Sequence, residues 1–145
     1  LHTISRAVDD DFSQCMVSNT RMAARAVTRR YDAYLRPFGV TATQFSLLGG
    51  IMQMAGATVS EIAEARGFDR TTLTRNLDRL EVMGLVASHH PKHGNGRLAE
   101  VTPKGATLVA EVLPVWRRAQ AEMQGALSSR TFNDSINMLK RLAKV

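Results

Sequence analysis

A mainly helical fold, about six helices with one small β-hairpin between the fourth and the fifth, is what this sequence predicts, on three observations. Apolar residues recur at helical spacing along most of the chain. Side chains able to cap a helix stand where these stretches begin, and glycine or proline stands near where they end. Residues 86–101 break the pattern, because two short β-prone runs there flank Gly94, Asn95 and Gly96. A length of 145 residues suits one domain spanning 1–145, with no repeat or low-complexity linker.

The elements follow in order. From 12 to 36, Phe12, Cys15, Met16, Met22, Ala23, Ala26 and Val27 fall at helical spacing opposite Arg21, Arg25 and Arg29, which predicts one long amphipathic helix. Pro37 and Gly39 stop it. Thr41 with Gln44 reads as a capping box for a second helix running through Met54, and Val40 can staple onto Phe45. The run 37–60 carries no charge, yet its polar residues and glycines suit a buried helix with its turns better than a membrane span. Thr58 with Glu61 forms a second box for a short third helix ending at Gly67, and Asp69 can cap a fourth. In that fourth helix Leu73, Leu77 and Leu80 share a stripe, which leaves Thr71, Thr74, Arg75 and Asp78 facing outward. Asn95-Gly96 is a hairpin signal between strands expected at 86–90 and 97–101. Thr102 and Pro103 open a fifth helix carrying Leu108, Val112, Trp116 and Met123, and a last amphipathic segment from about 131 carries Phe132, Ile136, Leu139 and Leu142.

Helix, tight turn, outward-facing polar helix and hairpin, in that order over about 41–102, describe a winged helix-turn-helix. Ala63 lets its two helices cross closely, Gly67 permits the turn, and Leu73 locks the second helix onto the first. The formal charge of +6 attracts polyanions, and duplex DNA, RNA and acidic membranes all qualify. Hydroxyls and arginines on the outward face of the fourth helix favour duplex DNA, since they suit phosphates and base edges in a major groove.

Five stretches carry a resemblance to a known family. They are Leu35-Arg36-Pro37-Phe38-Gly39-Val40-Thr41 leading into Gln44-Phe45; Val59-Ser60-Glu61-Ile62-Ala63; Asp69-Arg70-Thr71-Thr72-Leu73-Thr74-Arg75; Leu80-Glu81 through Gly84-Leu85-Val86; and Val101-Thr102-Pro103-Lys104-Gly105. From about 12 to 142 the chain resembles the MarR-type transcription regulators. The resemblance implies an intertwined two-fold homodimer held by helices at about 12–36, 103–127 and 131–143. Two winged motifs would then read a pseudo-palindromic operator. It also implies a recognition helix bearing Arg70, Thr71, Thr72, Thr74 and Arg75, with Ser60 and Arg79 completing the contacts. The wing departs from the family pattern: His93-Gly94-Asn95 stand where an arginine-bearing tip is usual, so Asn95, Lys92 and Arg97 are the candidates to replace that contact.

Tyr31, Phe45 and Trp116 could line a pocket for a small aromatic or phenolic effector, as the resemblance suggests, although core packing explains them equally. His89, His90 and His93 read as solvated or phosphate-facing rather than as metal ligands, because adjacent strand residues point to opposite faces. Cys15, the sole cysteine, excludes an internal disulfide framework and suits a reducing cytoplasm. It falls near the helix position of a peroxide-sensing branch of the family but two residues out of register, so a buried, inert thiol is expected. The N-terminal stretch through Asp9, Asp10 and Asp11 lacks the apolar core of a signal peptide and reads as a short arm. No phosphate loop, metal-ligand spacing or nucleophile–base arrangement points to an enzyme or a cofactor. A winged-helix module that binds protein instead of DNA is the remaining alternative, and Arg70, Arg75 and Arg79 argue against it.

Overall fold

The computed structural model describes residues 9–91 and 96–145. Its elements are α1 (Met16–Leu35), α2 (Ala42–Gln53), α3 (Val59–Arg66), α4 (Arg70–Val82), β1 (Val86–His89), β2 (Leu98–Val101), α5 (Pro103–Leu127) and α6 (Ser129–Leu142). Short 3-10 turns at Phe12–Gln14 and Arg36–Phe38 flank α1. The expected winged helix-turn-helix order is present, and no described helix is long and apolar enough to cross a membrane.

The helix starts are made by the local chemistry the sequence offers. At Thr41 the hydroxyl accepts from the Gln44 N–H at 3.1 Å and the Gln44 side chain accepts from the Thr41 N–H at 3.1 Å. Thr58 and Glu61 repeat this reciprocal pair, and Asp69 accepts from the Thr72 N–H at 2.8 Å. Gly67 closes α3 in the left-handed region at φ 75°, where a side chain would be strained. Between α1 and the N-terminal arm the expectation needs correcting. Asp11 accepts from the Ser13 N–H at 3.0 Å and makes a separate turn, and Cys15 is extended at ψ 124°, so α1 begins at Met16 rather than at Phe12.

The core of the reading head is built from Leu47, Leu48, Ile62, Leu77 and Leu80, with Leu35 of α1 and Val112 of α5 closing it from above. Burying each such leucine contributes about 1.5–3 kcal/mol, which is why the α4 stripe of Leu73, Leu77 and Leu80 determines which face of that helix meets water. The strands pair antiparallel, Val86 opposite Val101 and His89 opposite Leu98. The turn signalled by Asn95-Gly96 falls partly on residues 92–95, outside the described residues. The base of the wing is tied to α3, since the Val59 N–H donates to the Arg97 carbonyl at 2.8 Å and Thr58 bridges Leu98.

At the other end of the wing α5 starts under a Thr102 cap, whose hydroxyl accepts from the Gly105 N–H at 3.1 Å and donates to the Gly84 carbonyl at 2.6 Å. A side chain at 105 would place its Cβ 2.2 Å from the Leu85 carbonyl oxygen, so only glycine admits this close crossing. The helix α6 begins at Ser129, earlier than expected, because Ser128 turns the chain sharply at φ 68° and caps it by accepting from the Thr131 N–H at 3.3 Å.

Candidate nucleic-acid interface

The outward face of α4 follows from the buried one. Helical spacing sets Thr71, Arg75, Asp78 and Val82 directly opposite Leu73, Leu77 and Leu80, and Val82 is 88% exposed. Arg70, Thr71, Thr74, Arg75 and Arg79 are all exposed, and among the described residues none of the three arginines pairs with a carboxylate. Ser60 is exposed in the first turn of α3, beside the capped N-terminus. Thr72 differs from its neighbours: its hydroxyl donates to Asp69 at 3.0 Å, so it serves the helix cap and is only half exposed. That bonding, the Thr72 N–H first, holds the Asp69 carboxyl below its ordinary pKa, with Arg75 a minor contributor. The cap is therefore ionised and firm at neutral pH.

Arg97, expected at a phosphate or in the minor groove, is turned toward α4. Its guanidinium stands 3.1 Å from Glu81 and 3.3 Å from Asp78, and its Nε donates to the Ser88 hydroxyl at 2.8 Å. Ser88 in turn donates to Glu81. These bonds hold the Glu81 carboxyl below the usual range, the Ser88 hydroxyl being the larger cause and Arg97 the next. Lys92, Asn95 and His93 lie outside the described residues, whereas His89 and His90 are exposed at the end of β1.

A second feature lies between α1, α2 and α5. Tyr31, Phe45 and Trp116 meet there around a cavity of about 550 Å³, with Arg66 and Gln53 hydrogen-bonded to each other in its wall. Sequence reasoning brought the three aromatics forward but missed Arg66, a residue at the end of α3 that no local pattern links to α1 or α5. Tyr31 donates to Gln120 of α5, and burial pushes its phenol pKa up.

The family model described as MarR family matches residues 38–94. The multiple antibiotic resistance protein MarR of Salmonella typhimurium is 30% identical over 117 residues, covering 80% of this chain and 79% of its own. The chain belongs to the MarR family. Among solved structures, the transcriptional regulator MosR of M. tuberculosis is 36% identical with a TM-score of 0.80, over 93% of this chain and all of that one. The same regulator in complex with DNA is 37% identical with a TM-score of 0.76, over 89% and 96% of the two chains. As a MarR-family member the chain is a winged-helix transcription regulator, and the matched segment 38–94 contains α2, α3, α4 and β1, the parts that carry the exposed hydroxyls and arginines.

Cys15 is not the buried thiol expected of this MarR-family chain. It is only partly buried at the N-terminus of α1, where the backbone N–H groups of Ser18 and then Val17 lower the thiol pKa below its ordinary value. The apolar stripe assigned to it, with Phe12, Met16, Met22 and Val27, is itself exposed in the single chain, so helical spacing alone does not bury Cys15 there.

Proposed function

We propose that this protein is a sequence-specific DNA-binding transcription repressor that grips a pseudo-palindromic duplex as a homodimer and is released by a small aromatic or phenolic effector. The observation that carries the reading is the outward face of α4, where Arg70, Thr71, Thr74, Arg75 and Arg79 stand exposed opposite a buried leucine stripe. A helix so presented enters a major groove, with Arg75 mid-face to read base edges and Ser60 at the start of α3 to bind a phosphate. The DNA complex of MosR supports this reading. The protein acts in the cytoplasm, needs no cofactor and catalyses no reaction.

Homodimer formation is supported by apolar side chains that one chain leaves uncovered. Phe12, Met16, Val17 and Met22 along α1 and its turn, with Met138 and Leu139 on α6, are each at least half exposed. Helices α1, α5 and α6 form the dimer body, and residues 41–102 form the reading head. In the cavity, three aromatic walls beside the Arg66 cation favour a planar aromatic carrying a carboxylate or phenolate.

Selection of bound duplexes from a random pool, followed by titration at several salt concentrations, tests the proposal. An enriched sequence with two-fold symmetry and half-sites about one helical turn apart is expected. Binding of all duplexes alike would refute sequence-specific repression, and no binding at all would leave only the protein-interaction fold.

A further inference from the structure

Three parts of the reading head converge on Arg97. Its carbonyl accepts from the first N–H of α3, while its guanidinium reaches Asp78 and Glu81 on α4 and Ser88 on β1. The side chain is only 24% exposed. Just before it, Gly96 stands at φ 106° with its missing Cβ 2.9 Å from the Thr58 methyl, so the returning arm of the wing lies against the start of α3. A two-stranded ribbon has little stability of its own and takes its direction from what it is tied to. Val86 is a buried apolar tie, and the Arg97 cluster is a polar one.

The charges add a second consequence. Asp78 lies on the outward stripe beside Arg75, where a free carboxylate would repel phosphates. Pairing with Arg97 offsets that charge without placing Arg97 itself on the duplex.

We propose that Arg97 is a positioning residue for DNA reading: it sets the angle between the wing and the recognition helix and masks Asp78, and it does not itself hold the DNA backbone. This rests on the DNA-binding function proposed above. The opposite assignment, a direct phosphate contact, makes different predictions for the same variants.

The experiment uses the full-length protein, a duplex enriched from a random pool by the wild type, and a scrambled duplex. Arg97→Met should lower the preference for the enriched duplex roughly tenfold, the size expected when a coupled network of this kind is broken. Asp78→Asn with Glu81→Gln should do the same, and adding Arg97→Met to that pair should change little further, since Arg97 then has no carboxylate left and keeps only its bond to Ser88. If Arg97→Met on the carboxylate-free background instead weakens both duplexes alike and reduces the salt slope by about one unit, Arg97 holds a phosphate and the proposal is overturned. Hydrogen exchange in the protein without DNA provides a separate reading. Wing amides should exchange faster in Arg97→Met, and in the carboxylate pair, whose sites leave the core untouched. Unchanged exchange in both would overturn the proposal even with DNA binding intact, while a wild type that enriches no sequence would overturn the underlying function.

Discussion

Replacing Gly105 by alanine adds one methyl at the junction between the reading head and α5, and the structure allows its cost to be worked out. The new Cβ would stand 2.2 Å from the Leu85 carbonyl oxygen and 2.7 Å from a Val101 methyl. Carbon and oxygen need a little over 3 Å, so about 1 Å must be found. The Leu85 carbonyl cannot move freely, because it accepts from the Thr102 N–H at 3.0 Å and Leu85 itself is buried. Instead α5 must lift, which strains the Thr102 hydroxyl bonds to Gly84 and Gly105. Overpacking at about 1–3 kcal/mol plus roughly one weakened hydrogen bond gives a loss of about 3 kcal/mol. For a chain of this size that lowers Tm by about 10 °C. Gly49→Ala is the matched control: a Cβ there meets nothing within 4 Å, so the same change in α2 should stabilise by about 0.5–1 kcal/mol. Thermal and urea unfolding followed by circular dichroism, at one protein concentration, reads both. A Gly105→Ala protein that melts within about 2 °C of its parent would refute the reasoning.

Four further outcomes are expected. Arg75→Ala should cost about 1–3 kcal/mol on the selected duplex and far less on a scrambled one, and equal losses in a two-duplex titration would move sequence reading elsewhere. Ile136→Asp with Leu139→Asp, which puts charge on an exposed apolar face of α6, should give monomers by sedimentation, whereas an unchanged dimer would place the interface on other residues. Ser128→Gly should stabilise by about 0.5–1 kcal/mol in urea melts, since relief of the left-handed backbone outweighs the small cost of glycine at a cap. For Asp69 and Glu61 the folded pKa values are depressed, so their capping contribution is complete above the unfolded values of about 4 and disappears as pH falls through the folded ones. Acid unfolding should therefore be shallower in Asp69→Asn, which keeps a capping oxygen without the charge, and identical acid profiles would refute that linkage.

What was readable before folding was what the chain writes within one or two helical turns. Thr41 with Gln44, Thr58 with Glu61 and Asp69 with Thr72 are partners three residues apart, so the bonds that start α2, α3 and α4 are present in the sequence as patterns. Leu73, Leu77 and Leu80 orient α4 by the same short-range logic, and the exposed arginine face of the candidate interface follows from them. Local patterns misled where two were in competition. Apolar spacing carried the first helix back to Phe12, but the Asp11 side chain captured the Ser13 N–H and ended it at Cys15.

The sequence by itself thus determined the winged helix-turn-helix order and the face of α4 turned to solvent, because caps, breakers and apolar spacing act between near neighbours. Only the tertiary structure decided that Arg97 is drawn to Asp78 and Glu81, that Arg66 joins Tyr31, Phe45 and Trp116 around one cavity, and that α5 crosses Leu85 too closely for any residue but Gly105. Each of those depends on partners on different elements. Their meeting is set by how the leucine core packs the helices together, and no spacing along the chain records that distance.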